Sequence, residues 1–273
     1  MQHMAKKAFT LIELLVVIAI IALLMGILMP ALAKARKQAR GVACMAQLNQ
    51  WGKIWLMYCD ENNNKFPDGE EGGVAGANWH RGVWITAMRH GWEKRPEILK
   101  CPAATKENPA SPGDGGHGGP EYYYGFPPYL GIDRQRASYG MNLWAGSTNG
   151  TSGDIQSRPR SNYWQTLINV KRAAEVPLFL DSMWRGGGPY GVGNSGNGIQ
   201  PPQENGQWIG AGYEIMHFAM DRHSGGVNCL FNDGSVRKVE VKGLWRLKWH
   251  KNFDIYIADN QPASWWGPWL SKK

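Results

Sequence analysis

The strongest constraint on the fold of this 273-residue chain is a run of twenty residues without a charged side chain, 14–33. A helix needs about 20 apolar residues to cross the hydrocarbon core of a bilayer. A cleaved secretory signal explains the run less well, because its apolar core spans only about 7 to 15 residues and a small-x-small cleavage site should follow it. The sequence therefore predicts a membrane-spanning helix that the mature chain retains.

The carboxylate of Glu13 stands at the start of this run, four residues after Phe9. An acidic side chain at the centre of a membrane helix costs about 2.5 to 3.5 kcal/mol, and near the end it is still unfavourable without a positive charge beside it. An ordinary membrane anchor explains the length of the run but gives no reason for Glu13. The acid therefore indicates a functional position.

The segment 6–24, KKAFTLIELLVVIAIIALL, resembles the class III leader of type IV pilins and type II secretion pseudopilins. The resemblance implies that a prepilin peptidase cuts between Ala8 and Phe9 on the cytoplasmic side and methylates the new amine of Phe9. Ala8 departs from the Gly that the family usually has before the cut. The resemblance also implies a subunit that an assembly platform moves from the inner membrane into a helical filament, with copies of itself or other pilin-like subunits.

In such a filament the apolar helices pack together, and the resemblance implies that Glu13 pairs with the Phe9 amine of a neighbouring subunit. Deleting one partner of a buried ion pair costs about 3 to 5 kcal/mol, so this pair is expected to set the axial register. The head is expected on the periplasmic side of a single-pass protein. The leader motif decides this orientation, because the count of basic residues on either side of the span favours the reverse.

The resemblance implies an α+β, pilin-like fold in which a long N-terminal helix packs on a mainly antiparallel β-sheet. The 35 Gly and 16 Pro predict a loop-rich head. The predicted parts are a leader (1–8), a membrane and filament-core helix (9–33), an amphipathic half of the same helix (34–60), and a β-rich head with a Trp-rich tail (61–273). Pro30 is expected to kink the helix, because proline removes a backbone hydrogen bond.

Apolar residues at steps of three and four predict which face of the second half of the helix meets the head. They are Leu32, Ala35, Ala39, Val42, Ala46, Trp51, Trp55 and Tyr58.

Four cysteines are present, and two of them, Cys44 and Cys59, lie on this predicted helix. Fifteen residues of helix separate their Cα atoms by roughly 22 Å, which is too far for a disulfide. Two connectivities remain, Cys44–Cys101 with Cys59–Cys229, which we favour, or Cys44–Cys229 with Cys59–Cys101. Free thiols are a third possibility.

The helix is expected to end at the polar stretch DENNNKFPDGEE, which contains Pro67. Five of its oxygen-bearing residues match places in a calcium-binding loop: Asp60, Asn62, Asn64, Asp68 and Glu71. Lys65 stands where that loop needs Gly, so a plain helix-terminating turn is the better interpretation. Calcium is the one cofactor weighed here, and no metal ligands are predicted elsewhere.

Two runs rich in β-formers, 227–231 and 235–241, flank Asn232-Asp233-Gly234 and predict a hairpin with a tight turn. The stretch HSGGVNCLFNDG also resembles a motif of one branch of pilin-like proteins, in which nine residues separate a His from Asp-Gly. Its members here are His223, Asp233 and Gly234. We expect structural roles for them, with His223 packing at the entrance to the first strand.

The net charge of +8 permits an anionic partner, but no nucleic-acid-binding motif accompanies it, so nucleic acid is not expected as a partner. No nucleophile elbow, HExxH motif or phosphate-binding loop is present, and we predict no catalytic site and no enzymatic activity. A filament subunit is therefore the leading hypothesis, and the sequence does not separate pilus from pseudopilus. The alternative is an adhesive or glycan-binding module on a pilin stem, using the loop 185–206 and the aromatic tail SWWGPWL.

Overall fold

The structure is a computed structural model that describes residues 11–68, 83–113, 116–126, 135–148, 158–189, 199–209 and 213–272. The predicted cleavage site at Ala8 and Phe9 lies outside these residues, as does Glu71 of the calcium-loop pattern. The chain forms two compact units, and the boundary between them falls between Ala39 and Arg40.

The first unit contains the apolar part of helix α1, which runs from Leu11 to Glu61. Its side chains from residue 11 to residue 39 are all exposed. Within the described residues, α1 is the one helix that is long and apolar enough to cross a membrane, judged by length and composition. The helix continues through Pro30, so this residue does not end it, and a kink there stays a prediction.

In the second unit α1 buries one face in the head, as its amphipathic pattern predicts. The buried residues are Cys44, Leu48, Trp51, Gly52, Ile54, Trp55, Tyr58 and Cys59. The predicted face was right at Trp51, Trp55 and Tyr58. It was wrong at the five positions before them, which are all exposed: Leu32, Ala35, Ala39, Val42 and Ala46. The stripe that enters the core starts instead at Cys44 and Leu48, since only side chains at this angle continue into the stripe of Trp51 and Trp55.

A five-stranded sheet in the order β6-β4-β5-β7-β8 forms the centre of the head. Its strands are β4 (Tyr139–Asn142), β5 (Pro177–Asp181), β6 (Gly186–Gly187), β7 (Gly226–Phe231) and β8 (Val236–Glu240). All its pairings are antiparallel except β4 with β6. A smaller sheet contains β1 (Lys106–Glu107), β2 (Tyr122–Gly125) and β3 (Arg136–Ala137), and three short helices are α2 (Val83–Ala87), α3 (Arg89–Trp92) and α4 (Gly267–Leu270).

The predicted hairpin is confirmed as β7 and β8, which pair antiparallel from Gly226 opposite Glu240 to Leu230 opposite Val236. In its turn the Asp233 carboxylate accepts the Ser235 backbone N–H at 2.9 Å. Gly234 has a φ of 83°, a left-handed conformation that glycine adopts without strain. The long helix and the largely antiparallel sheet of the head agree with the predicted α+β, pilin-like fold.

Helix α1 packs on the sheet through residues of the second unit. The ring centroids of Trp51 and Phe179 are 5.4 Å apart, and the Asn228 side-chain amide donates to the Gly41 carbonyl at 3.0 Å. A Cβ atom at Gly52 would lie only 3.1 Å from Leu230, so glycine lets the helix approach β7 closely. These contacts fix the position of α1 along the sheet and therefore the position of Cys44.

The end of α1 has the geometry of a terminating turn. The Asn62 side chain donates to the Tyr58 carbonyl at 2.8 Å, and Asn63 and Asn64 adopt left-handed backbone conformations. The chain then enters the core at Phe66. These contacts are those of the helix-terminating turn that the sequence favours.

The aromatic tail docks on the head. The buried ring of Trp245 meets Trp265 and Trp266 edge to face, with centroids 6.0 Å and 5.4 Å apart. Leu270 is fully buried, and Trp269 packs against the core. The tail therefore uses the aromatic side chains of SWWGPWL for packing within the head. This is a more conservative interpretation of the segment than glycan binding.

His250 is a buried histidine that predicts a pH dependence of stability. Its ring lies against Trp144, with centroids 4.5 Å apart, and its Nδ1 accepts the Asn252 backbone N–H. Burial, aided by the charge of Lys248, lowers the pKa of His250 to about 3. The folded chain then binds fewer protons than the unfolded chain between about pH 6.5 and this value, so stability falls as the pH falls through that window.

We expect His250→Gln to flatten the pH dependence of unfolding by at most about 1.4 kcal/mol for each pH unit below about 6.5. The glutamine oxygen can still accept the Asn252 N–H. The measurement is urea unfolding of the full chain at a series of pH values. Equal slopes for the variant and the wild type would contradict this assignment.

Candidate functional site

Four metal-ligating side chains from distant parts of the sequence meet inside the head. They are Cys44, Cys101, Asp181 and His223, and we refer to them as the Cys2HisAsp cluster. One ligand atom from each lies within 4.8 Å of the ligand atoms of the other three. All four residues are buried. Among the described residues, this is the one group of three or more His, Cys, Asp or Glu side chains placed closely enough to share an ion.

Each residue is held by a separate element. Cys44 is the first buried residue of α1, and Asp181 is the last residue of β5. Cys101 follows the 3-10 helix Pro96–Leu99, and its backbone N–H donates to the Ser138 hydroxyl at 2.7 Å. His223 lies in the loop before β7, where its backbone N–H donates to the Gly226 carbonyl at 2.9 Å. The cluster thus forms only when helix, sheet and loops are all in place.

The distances show that the polar atoms converge on one point. The Cys44 thiol lies 3.6 Å from both carboxylate oxygens of Asp181. The Nε2 atom of His223 lies 3.0 Å from Oδ2 of Asp181 and 3.4 Å from Sγ of Cys101. A single imidazole nitrogen therefore faces both a sulfur atom and a carboxylate oxygen.

The charges inside the cluster shift one another's pKa values. Burial alone raises the pKa of Asp181, but His223 and Arg222 outweigh it and bring the value down to about 2. Burial lowers the pKa of His223, and the Asp181 carboxylate reverses this effect and raises the value to about 9. Burial raises the pKa of Cys101, but hydrogen bonds with Cys44 and His223 lower it to about 6. The cluster therefore favours a thiolate at Cys101.

A thiolate beside His and Asp raises the question of a catalytic triad, and the geometry is wrong for one. In a triad the nucleophile contacts one imidazole nitrogen while the acid orients the ring through the other. Here Cys101 and Asp181 both approach Nε2 of His223. Cys101 is also fully buried, which leaves no approach for a substrate. The arrangement is that of ligands around a shared centre.

Arg222 lies beside the cluster and forms several hydrogen bonds. Its guanidinium is buried and donates to Oδ1 of Asp181 at 3.0 Å. It also donates to the backbone carbonyls of Ser138 and Gly119, both at 2.7 Å. The Asn228 backbone N–H donates to Oδ2 of Asp181 at 2.8 Å. The carboxylate is therefore fixed in position by contacts on both of its oxygens.

In the structure all four cysteines are free and buried, which is the third of the possibilities that the sequence left open. Neither predicted pairing is present. The favoured pairing did place Cys44 next to Cys101, but their sulfurs share their surroundings with the cluster's carboxylate and imidazole. Cys229 instead directs its thiol to the Leu230 carbonyl at 3.4 Å, and Cys59 is not a member of the cluster.

The other predicted site residues lie apart from the cluster. Glu13 and Pro30 are in the first unit. Of the His223, Asp233 and Gly234 motif, the structure brings only His223 to the cluster, while Asp233 and Gly234 form the turn at the other end of β7. Asp181 and Arg222 are functional residues that no sequence motif predicts. An acid that ends the apolar strand PLFLD is the signal that could have identified Asp181.

An exposed apolar helix with an acid in its first turn, followed along the chain by an α+β head, is similar to the arrangement of type IV pilins. Residues 3–29 match the family model of the prokaryotic N-terminal methylation motif. Over 58 residues the chain is 52% identical to the type IV wide pilus major component PilA4 of Thermus thermophilus. This similarity covers 21% of the present chain and 44% of that protein, so the chain spans less than half the length of this relative.

No solved structure matches the chain. The likeness to type IV pilins therefore comes from the N-terminal motif and from the sequence match to this one relative. The cluster gives the head a feature that neither comparison describes.

The loop that carries His223 depends on Gly226, where an added Cβ atom would collide with the Val239 carbonyl of the paired strand. We expect Gly226→Ala to lower the free energy of unfolding by about 1 to 3 kcal/mol. The clashing atom belongs to the backbone, which moves aside less easily than a side chain does. Gly243→Ala is the matched control, since its Cβ would lie 3.3 Å from a Val239 methyl group and meet no backbone atom. Urea unfolding measures both. Equal losses would contradict the prediction.

Proposed function

We propose that this chain is a structural subunit of a type IV pilus-like filament. The observation that carries the proposal is the prepilin motif at residues 3–29 together with an apolar helix whose side chains are exposed from residue 11 to residue 39. Such a large apolar surface is unfavourable in water, so a bilayer or the apolar helices of other subunits must cover it. A pilin uses both coverings in turn, first the membrane and then the filament core.

The proposal includes the processing that the family implies. A prepilin peptidase cuts between Ala8 and Phe9 and methylates the amine of Phe9. The chain is then a single-pass protein of the inner membrane with its head in the periplasm, until an assembly platform adds it to the filament. A type II secretion pseudopilus uses the same steps, and the name of the Thermus relative favours the pilus.

Glu13 has a specific role in this proposal. Its carboxylate pairs with the Phe9 amine of the neighbouring subunit, and the surrounding apolar helices strengthen the attraction by excluding water. The amine exists only after cleavage, so uncleaved subunits lack the positive partner. Processing and assembly are thereby linked at one carboxylate.

Mass spectrometry of the native N-terminus tests the processing step. We expect the mature chain to begin with N-methylated Phe9. An intact Met1 or Met4 at the N-terminus of chains recovered from assembled filaments would overturn the proposal.

Substitution of the carboxylate tests the assembly step. We expect Glu13→Ala to leave cleavage unchanged and to reduce filament yield strongly, because the ion pair is lost from an apolar interface. Glu61→Ala is the matched control, since Glu61 is an exposed acid at the other end of the same helix. The readouts are sheared-filament yield and the mass of the membrane-bound subunit. Normal filament yield from Glu13→Ala would contradict the role assigned to this residue.

A further inference from the structure

We infer that the Cys2HisAsp cluster is a structural zinc site, in which its two sulfurs, one imidazole nitrogen and one carboxylate oxygen are the four ligands. The site lies wholly in the second unit of the chain. The inference rests on the geometry of the head and does not depend on the filament proposal.

The convergence on Nε2 of His223 is the first argument. One imidazole nitrogen offers either a single proton or a single lone pair, so it can serve only one hydrogen-bond partner well. Here it faces Oδ2 of Asp181 at 3.0 Å and Sγ of Cys101 at 3.4 Å. A cation placed between these atoms bonds to all of them at once, whereas a single Nε2–H can only be shared between the two acceptors.

The spacing of the ligand atoms is the second argument. In a tetrahedral site with Zn–S bonds of about 2.3 Å and Zn–N or Zn–O bonds of about 2.0 Å, neighbouring ligand atoms are about 3.3 to 3.8 Å apart. The 3.6 Å from Cys44 to the Asp181 oxygens and the 3.4 Å from Cys101 to His223 fall in this range. The 3.0 Å between Nε2 of His223 and Oδ2 of Asp181 is shorter than this range, so these two atoms must move slightly apart when the metal binds.

The type of ligand selects the metal. Calcium and magnesium take oxygen ligands almost entirely, so two cysteines exclude them here. Thiolate, imidazole and carboxylate together, in a four-coordinate set, are typical of zinc. Because all four residues are buried, the site has no open position for a substrate and is structural.

The charge balance of the buried site is the third argument. Two thiolates and one carboxylate bring three negative charges, and a neutral imidazole adds none. A divalent cation leaves one negative charge, which the buried guanidinium of Arg222 neutralises from Oδ1 of Asp181. Arg222 thus acts as the outer partner that ligating carboxylates commonly have. The Ala103 backbone N–H, 3.4 Å from the Cys101 sulfur, stabilises a thiolate in the same way.

Zinc in this position ties together four parts of the head that no covalent bond joins. It connects α1 to the end of β5, to the segment after the helix Pro96–Leu99, and to the loop before β7. The described residues contain no disulfide that could take this part. It also gives a role to the His of the His223, Asp233 and Gly234 motif.

The test uses the full chain, purified in detergent without a polyhistidine tag. Elemental analysis is expected to find one zinc per chain, and removal of the metal by a strong chelator is expected to lower the midpoint of thermal unfolding. Refolding of the zinc-free chain with cobalt is expected to give the visible bands of a tetrahedral cobalt site and the near-ultraviolet bands of thiolate bonded to cobalt. A cobalt spectrum without thiolate bands would overturn the ligand set.

Variants then separate a lost ligand from a lost fold. Cys44→Ser and Cys101→Ser are expected to lose the zinc, whereas Cys59→Ser and Cys229→Ser, which remove buried cysteines outside the cluster, are expected to keep it. His223→Cys supplies a different ligand at the same place. It is expected to retain the metal with a shifted cobalt spectrum, which a merely structural histidine would not produce.

Three outcomes would overturn the inference. The first is wild-type chain that contains no metal and four reactive thiols after unfolding. The second is a Cys44–Cys101 disulfide in peptides mapped without reduction, since a disulfide consumes both thiolates. The third is equal zinc content in the wild type and in Cys101→Ser, because zinc then binds elsewhere.

Discussion

The head depends on the ion pairs and hydrogen bonds of the buried Asp181 carboxylate. An isolated charge in an apolar core is very unfavourable, and here three partners compensate for it: Arg222, His223 and the Asn228 backbone. All three lie in one stretch of the chain, the loop before β7 and the first half of β7. The need to satisfy one carboxylate therefore fixes where β7 and the loop before it lie against β5.

The two units solve opposite problems with charge. In the first unit, Glu13 lies in the first turn of an apolar helix whose surroundings must come from outside the chain, and the proposed partner is created by cleavage. In the second unit, the ion-pair and hydrogen-bond partners of Asp181 belong to the same chain. The proposed pairing of the first acid joins two molecules, and the contacts of the second stabilise one molecule. Both use the same fact, that a charge removed from water must be paired.

Local patterns predicted much of the fold. The continuous helix from residue 11 to residue 61 and the hairpin of β7 and β8 followed from apolar periodicity and from a turn at Gly234, which concern neighbouring residues. The face of α1 was misjudged at Val42, because an apolar stripe near the boundary between the two units does not show where the head begins. The proposed zinc ligands could not be predicted from the sequence, since they come together only in the folded chain. No closely spaced pair of cysteines indicates a metal site. His223 was noticed as part of a motif, but its neighbours were not.

The distances along the sequence between the members of the cluster have a consequence for the order of folding. Cys44 and Asp181 are 137 residues apart, and Cys101 and His223 are 122 apart. Helix α1 needs only local contacts and can form while synthesis continues, whereas contacts between such distant residues form slowly. Helix α1 can thus form early in synthesis, whereas the cluster can form only after the loop that carries His223 has been synthesised. An interruption of translation before that loop leaves an anchored chain with an open, thiol-bearing head.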